Sequence, residues 1–185
     1  HPMQPTSKSL TPQQVAQYHR DGFVVVPDLI GQEEAILWKE KLKERLAEEG
    51  LLGNIPSGVR VWMADNMDPY SSAQLQSPTI VHILQQLLGP DVEFLSFKAV
   101  FKNAKTNFPS PWHQDWAYWG GSAKISIWIA LDDATPENGC LQLIPGTQRQ
   151  VIEMKEVEDV KGFVRRITDD QVAGMPIETV PVPRG

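Results

Sequence analysis

Trp112-His113-Gln114-Asp115-Trp116 sets an imidazole and a carboxylate two residues apart inside an aromatic-rich stretch. Pro111 opens that stretch, Tyr118 and Trp119 extend it and Gly120-Gly121 closes it, which predicts a strand with well-marked ends. Alternate residues of a strand share a face, so His113 and Asp115 would project side by side, with Cα atoms roughly 6 to 7 Å apart. That spacing lets both reach one ion. Imidazole and carboxylate together suit ferrous iron, and two histidines with one carboxylate form the open facial triad of non-haem iron oxygenases. The alternative is a His/Asp pair on a solvated strand, against which stand the aromatics around one histidine. By the same alternation Trp119 would share the ligand face, while Trp112, Gln114 and Trp116 would face away.

Composition narrows the function classes. The 185 residues are 41% hydrophobic and 22% charged, enough to bury one core in a single domain spanning 1–185. A net charge of -6 without a dense Lys/Arg cluster argues against nucleic acid and against a membrane surface. No run approaches the roughly 20 apolar residues of a membrane span and no signal peptide is recognisable, so a cytoplasmic protein is expected. Cys140 has no disulfide partner and, after Asn138-Gly139, is read as a small buried hydrophobe, not a nucleophile. His1-Pro2 before Met3 resembles the remnant of an expression tag.

The first half of the chain reads as helical and the second as strand-rich, which suggests an α+β domain. Thr11-Pro12-Gln13-Gln14 is a capping-box start, predicting a helix to about Arg20 that stops at Asp21-Gly22. Phe23 to Val26 reads as a strand. Gln32 to Glu49 reads as an amphipathic helix with Ala35, Ile36, Leu42, Leu46 and Ala47 inward and a solvated Glu/Lys face. Leu51 to Tyr70 reads as a long loop, either a lid over a site or a mobile excursion. A further helix is expected from Ser77-Pro78 to Leu88, then strands over Phe94 to Lys102, Lys124 to Asp132 and Leu141 to Ile144, with a hairpin signal at Asn138-Gly139. Along Lys124 to Asp132 the aliphatic residues Ile125, Ile127, Ile129 and Leu131 alternate with Ser126, Trp128 and Ala130. Trp128 therefore faces either a pocket or the core.

Three blocks together resemble the phytanoyl-CoA dioxygenase family. They are Trp112 to Asp115, Trp128 to Leu141 (WIALDDATPENGCL) and Ile144-Pro145-Gly146-Thr147, and the opening Tyr18 to Val26 is similar as well. The resemblance implies a mainly β core, a double-stranded β-helix (a cupin-like jelly-roll) with N-terminal helices packed on its larger sheet. It also implies an enzyme using Fe(II), 2-oxoglutarate and O2 to hydroxylate or otherwise oxidise a C–H bond, releasing succinate and CO2. On this chain His113 and Asp115 match the first two iron ligands and Trp128 matches the tryptophan beside 2-oxoglutarate. Leu95 or Ser96 would line the same site, and Arg60 falls where a basic residue often helps hold the co-substrate. The indoles of Trp62, Trp112, Trp116 and Trp119 would supply dry walls.

The family's second histidine, and the arginine that meets the distal carboxylate of 2-oxoglutarate, are missing. A segment like Val180 to Gly185 leads into the strand bearing that histidine, so the chain is expected to be truncated before its last strands. His19 and His82, read as solvated or capping residues on helices, do not replace it. An inactive jelly-roll binding module and other cupin-like metalloproteins, isomerases or zinc binders among them, are the alternative classes. The aromatic content leans toward a small, largely apolar substrate. Residues selecting it are expected in Leu51 to Tyr70 and in Arg149 to Ile177.

Overall fold

Four apolar side chains at Ala35, Trp38, Leu42 and Leu46 form one stripe, and that stripe decides how the N-terminal half packs. They lie on α2 (Gln32–Glu48), and each is at most 2% exposed. Trp38 belongs to this stripe in place of the expected Ile36 and Ala47: Ile36 is 45% exposed and Ala47 is exposed. The computed structural model describes residues 8–53, 58–103, 109–120, 122, 124–157 and 165–185. His1-Pro2-Met3, Gly121 and parts of the two substrate-selecting segments lie outside them.

α1 (Pro12–Asp21) starts with the predicted capping box at Thr11 and ends at Gly22, whose φ of 88° gives the left-handed turn that a residue with a Cβ adopts only under strain. The predicted loop Leu51 to Tyr70 is largely structured instead. It holds β1 (Val59–Met63), a 3-10 turn at Ala64–Asn66 and the start of α3 (Pro69–Leu75). α4 (Pro78–Leu88) is capped by Ser77, whose hydroxyl accepts the Ile80 amide, and β2 (Ser96–Val100) follows.

β1 and β2 pair antiparallel in the register Val59↔Val100, Arg60↔Ala99, Val61↔Lys98, Trp62↔Phe97 and Met63↔Ser96. One face of this ribbon covers α2. Phe97 sits between two indoles, 5.8 Å from Trp38 and 5.9 Å from Trp62, nearly parallel to both. Such pairs add about 0.5–1.5 kcal/mol each beyond the area they bury. Trp62, 1% exposed, is thus a core residue and not a site wall. Its indole N–H donates to Glu49 at 2.8 Å, and the Arg45 and Arg60 guanidinium groups lie over its ring.

The remaining elements are short. β3 (Leu141–Leu143) pairs with β6 (Glu178–Val180), and β4 (Lys155–Glu156) with β5 (Arg165–Arg166), while α5 (Asp169–Val172) begins at a second capping box on Thr168. Among the described residues there are three two-stranded antiparallel sheets and none closes into a barrel, so the architecture is a mixed α/β fold. Phe23 to Val26 and Lys124 to Asp132 join no ladder there. Periodicity reports faces, whereas a ladder needs a neighbour at the strand's edge. Ile129 and Leu131 do pack on the α2 core. Their segment is held by single bonds, with Ala130 O accepting from Gly185 N at 2.8 Å and Asp132 meeting Arg184 at 2.8 Å and Lys39 at 2.6 Å. Asn138-Gly139 closes a turn in which Asn138 Oδ1 accepts the Thr135 amide, not a hairpin. Cys140 is half-buried. No helix among the described residues is long and apolar enough to cross a membrane.

Inside this core the Trp38 indole donates to Ser71 Oγ at 2.7 Å, and Ser71 is fully buried. Ser71→Ala is expected to lower stability by about 1–3 kcal/mol, because an indole N–H would remain in the core without an acceptor. The urea midpoint should fall with little change in slope.

Candidate metal centre

Pro111 carbonyl, an acceptor and nothing else, lies 2.8 Å from His113 Nδ1. That nitrogen must carry the hydrogen, and the lone pair of a neutral ring is left on Nε2. Nε2 points at Asp115 Oδ1, 3.4 Å away. Two lone-pair donors facing each other need a cation between them, either a proton or a metal ion. Metal–ligand bonds of about 2.1 Å put neighbouring donor atoms about 3.0 to 3.4 Å apart, so the pair fits a shared ion. A backbone carbonyl on the other ring nitrogen is also the usual support of a metal-bound histidine.

The pair does not arise on a strand. Trp112 makes an isolated bridge with Ile167, and the chain then turns into a 3-10 helix at Asp115–Ala117. Gln114 itself is extended, with φ -116° and ψ 126°, so His113 and Asp115 flank it on one side as alternation expects, and the turn begins only at Asp115, where Tyr118 N donates to Asp115 O at 2.8 Å. Beyond Asp115 the turn replaces the expected alternation. The Tyr118 ring meets the His113 ring edge-on at 6.4 Å, while Trp119 lies under the Lys124 ammonium group. Trp112 packs into a second core of Met154, Ile167 and Val172. Gln114 turns away from the pair, as expected, and bonds to the loop at 147–152.

Lys98 is the neighbour that sequence reasoning missed. The hydrogen bond from His113 and its charge hold the Asp115 carboxyl below the usual carboxylate range, and the Lys98 charge adds to this against partial burial. The hydrogen bond to Asp115 raises the His113 pKa, while burial and Lys98 work in the opposite direction. Lys98 stands on the outer face of β2, and strand register sets it opposite Val61 between Ser96 and Val100. Alternation in an exposed strand was the available signal, but only pairing reveals which face meets the motif.

The other expected site residues are more scattered. Ser96 shares the Lys98 face, and Leu95, 42% exposed, precedes it with its carbonyl bonded to Ala64 N. Arg60 takes the opposite, inward register of β1 and is ion-paired to Glu49 at 2.8 Å. Trp128 is 46% exposed, which excludes the core alternative for it. His19 and His82 are exposed on α1 and α4, as expected. No group of three His, Cys, Asp or Glu able to hold a metal occurs among the described residues. Behind His113 a cavity of about 150 Å³ is bounded by Gly22, Phe23, Trp112, Gln114 and Leu143. A larger groove of about 420 Å³ lies between α2 and α3, lined by mutually paired charges such as Arg45 and Asp68, far from this chemistry in sequence and partners.

The His113–Asp115 pair stabilises the metal-free fold between two limits. The histidine contribution, from a raised pKa, is complete below the unfolded value and lost as pH rises through the folded one. The aspartate contribution, from a lowered pKa, is present above its unfolded value and lost as pH falls through the folded one. Imidazole NMR titration of metal-free protein should show His113 titrating above an ordinary histidine, moving down in Asp115→Asn and further up in Lys98→Met.

The chain is similar to known proteins in sequence and in fold. The model of the phytanoyl-CoA dioxygenase family matches residues 18–185. L-proline trans-4-hydroxylase of Streptomyces griseoviridis is 32% identical over 142 residues, covering 71% of this chain and 53% of that protein. Ectoine dioxygenase of Bordetella parapertussis is 26% identical over 159 residues, covering 78% of this chain and 51% of that one. The chain thus spans about half the length of these curated relatives. The crystal structure of the non-heme alpha ketoglutarate dependent carbocyclase SnoK from nogalamycin biosynthesis superposes with a TM-score of 0.68 at 23% identity, covering 95% of this chain and 72% of that one. At that identity the likeness concerns the fold. With its matched residues running from Tyr18 to the last residue described, the chain belongs to the phytanoyl-CoA dioxygenase family.

Proposed function

We propose that this chain supplies the metal-holding part of an Fe(II)- and 2-oxoglutarate-dependent dioxygenase that oxidises a C–H bond of a small molecule. The facing donors His113 Nε2 and Asp115 Oδ1, 3.4 Å apart, are the observation that carries this reading. Relatives named as a proline hydroxylase and an ectoine dioxygenase support it, as does a fold shared with an alpha-ketoglutarate-dependent enzyme. The same likeness supports a jelly-roll, with β1–β2 as one of its ribbons and α2 packed outside it. Bound at this site, ferrous iron with 2-oxoglutarate and O2 would supply the oxidising power for hydroxylation, with release of succinate and CO2.

In this reading each residue of the chain has a physical task. Pro111 fixes the His113 tautomer so that Nε2 is available, and Asp115 contributes the negative charge that favours a divalent cation. Lys98 attracts the anionic co-substrate toward the pair. Val61, Met63 and Val100 share the Lys98 face and are 41%, 57% and 52% exposed, an apolar wall that would keep water from the reacting carbon. Ser96 sits on that wall beside Met63 and Leu95 adjoins it, in keeping with their lining role, and Trp128 stays a candidate neighbour of 2-oxoglutarate. Arg60 has no part in it, because strand alternation turns it toward Glu49.

Anaerobic addition of Fe(II) and 2-oxoglutarate to the full-length protein should produce a weak visible charge-transfer band, and O2 should then release succinate. His113→Ala and Asp115→Ala should each abolish both signals. A full-length protein with no band and no succinate would instead be a binding module of the same fold. Metal affinity is expected to fall as pH drops below the raised His113 pKa, since a proton competes for Nε2, approaching about tenfold per pH unit.

A further inference from the structure

Gln114, between the two candidate ligands, has its amide wholly engaged by a distant loop. Its Nε2 donates to Thr147 O at 3.1 Å and to Gln150 O at 2.9 Å, and its Oε1 accepts from Ile152 N at 2.8 Å. Two carbonyls and one amide leave a single orientation for the side chain, because a flipped amide would oppose donor to donor and acceptor to acceptor. The loop is gripped from its other side by the end of α1. Gly146 N donates to Asp21 O at 2.9 Å, Gln148 Nε2 to His19 O and Arg20 O at 3.2 Å each, and Arg149 to His19 O at 3.2 Å. These donors satisfy carbonyls that a helix end leaves without partners. A Cβ at Gly22 would lie 2.6 Å from Gln148 Oε1 and displace that side chain.

A backbone tethered through the Gln114 side chain by three bonds loses freedom at the residues on either side of it. We propose that Gln114 is a positioning residue for the metal pair: it sets the separation of His113 Nε2 and Asp115 Oδ1 by tethering the backbone between them to the loop at 147–152. This inference rests on His113 and Asp115 being metal ligands. It makes the loop more than a connection, because its distance from the motif becomes a determinant of ligand geometry. The brace from α1 holds the loop, and Gln114 transmits its position.

Full-length protein loaded anaerobically with Co(II) tests the inference, through Co(II) affinity and the visible absorption of the bound ion. Gln114→Ala is expected to weaken Co(II) binding about 10- to 100-fold, the usual effect of removing an outer partner of a metal site, and to alter the spectrum at saturation. Gln148→Ala, which removes two of the four bonds bracing the loop to α1 and leaves the Gln114 bonds in place, should shift both by less than Gln114→Ala does. Unchanged affinity and spectrum in Gln114→Ala, with binding abolished in His113→Ala, would overturn the positioning role and leave the metal site standing. An equal loss in Gln148→Ala would also overturn it, assigning the effect to the loop as a whole. Retained binding in His113→Ala would remove the metal reading itself. Should Gln114→Ala not fold, Gln114→Glu keeps the acceptor for Ile152 and opposes the two carbonyls, and should show the same weakened binding. Coupling is reciprocal, so Co(II) should slow hydrogen exchange of the Ile152 amide in the unaltered protein. No slowing would count against the tether.

Discussion

Phe97 held between Trp38 and Trp62 is the contact on which the arrangement of this chain depends. It joins the longest helix to the β1–β2 ribbon and so settles which ribbon face is buried. The opposite face is then presented outward, with Val61, Met63, Ser96, Lys98 and Val100 exposed on it. A two-stranded ribbon is marginal alone, and packing one face on a helix lets it persist while the other stays available. Glu49 reinforces the joint. Burial pushes its carboxyl up, but the bonds from Trp62 and Arg60 and the charges of Arg60 and Arg45 outweigh burial and leave it lowered.

The candidate site rests on a second core and inherits its rigidity. Trp112 is fixed by Ile167, whose amide donates to its carbonyl at 2.8 Å, and by packing with Met154 and Val172. Gln171 reaches from α5 to Glu153 O at 2.7 Å and closes that unit. His113 and Asp115 therefore start from an anchored residue and flank the extended Gln114, with the turn beginning at Asp115. A site built from two donors two residues apart has its geometry set largely by the local backbone. Its geometry still responds to the loop at 147–152 through Gln114.

Local signals in the chain were legible where chemistry and structure are both local. The caps at Thr11 and Ser77, the stop at Gly22 and the pairing of Lys41 with Glu44 and of Lys43 with Glu40 follow from neighbours within one helical turn. The facing of His113 and Asp115 was legible for the same reason, since they are two residues apart. What misled was reading Pro111 to Gly121 as a strand: aromatic density and alternation fit an extended chain, yet bonds from Tyr118 and Trp119 to Asp115 O turn it. β1 was hidden because Gly, Pro and Asn surround its five residues, and its half-buried Arg60 is held inward by pairing, not by hydropathy.

By itself, then, the sequence determined the residue types at the candidate site, the helix ends and the family blocks. Only the tertiary structure decided that Lys98 joins His113 and Asp115, that Arg60 belongs to Glu49, and that Gln114 answers to a loop more than thirty positions away. The division has one physical cause. Caps and close pairs are set by covalent proximity, whereas the partner of a charge or an amide across the fold is chosen by which faces pack together, and packing is settled by the whole core at once.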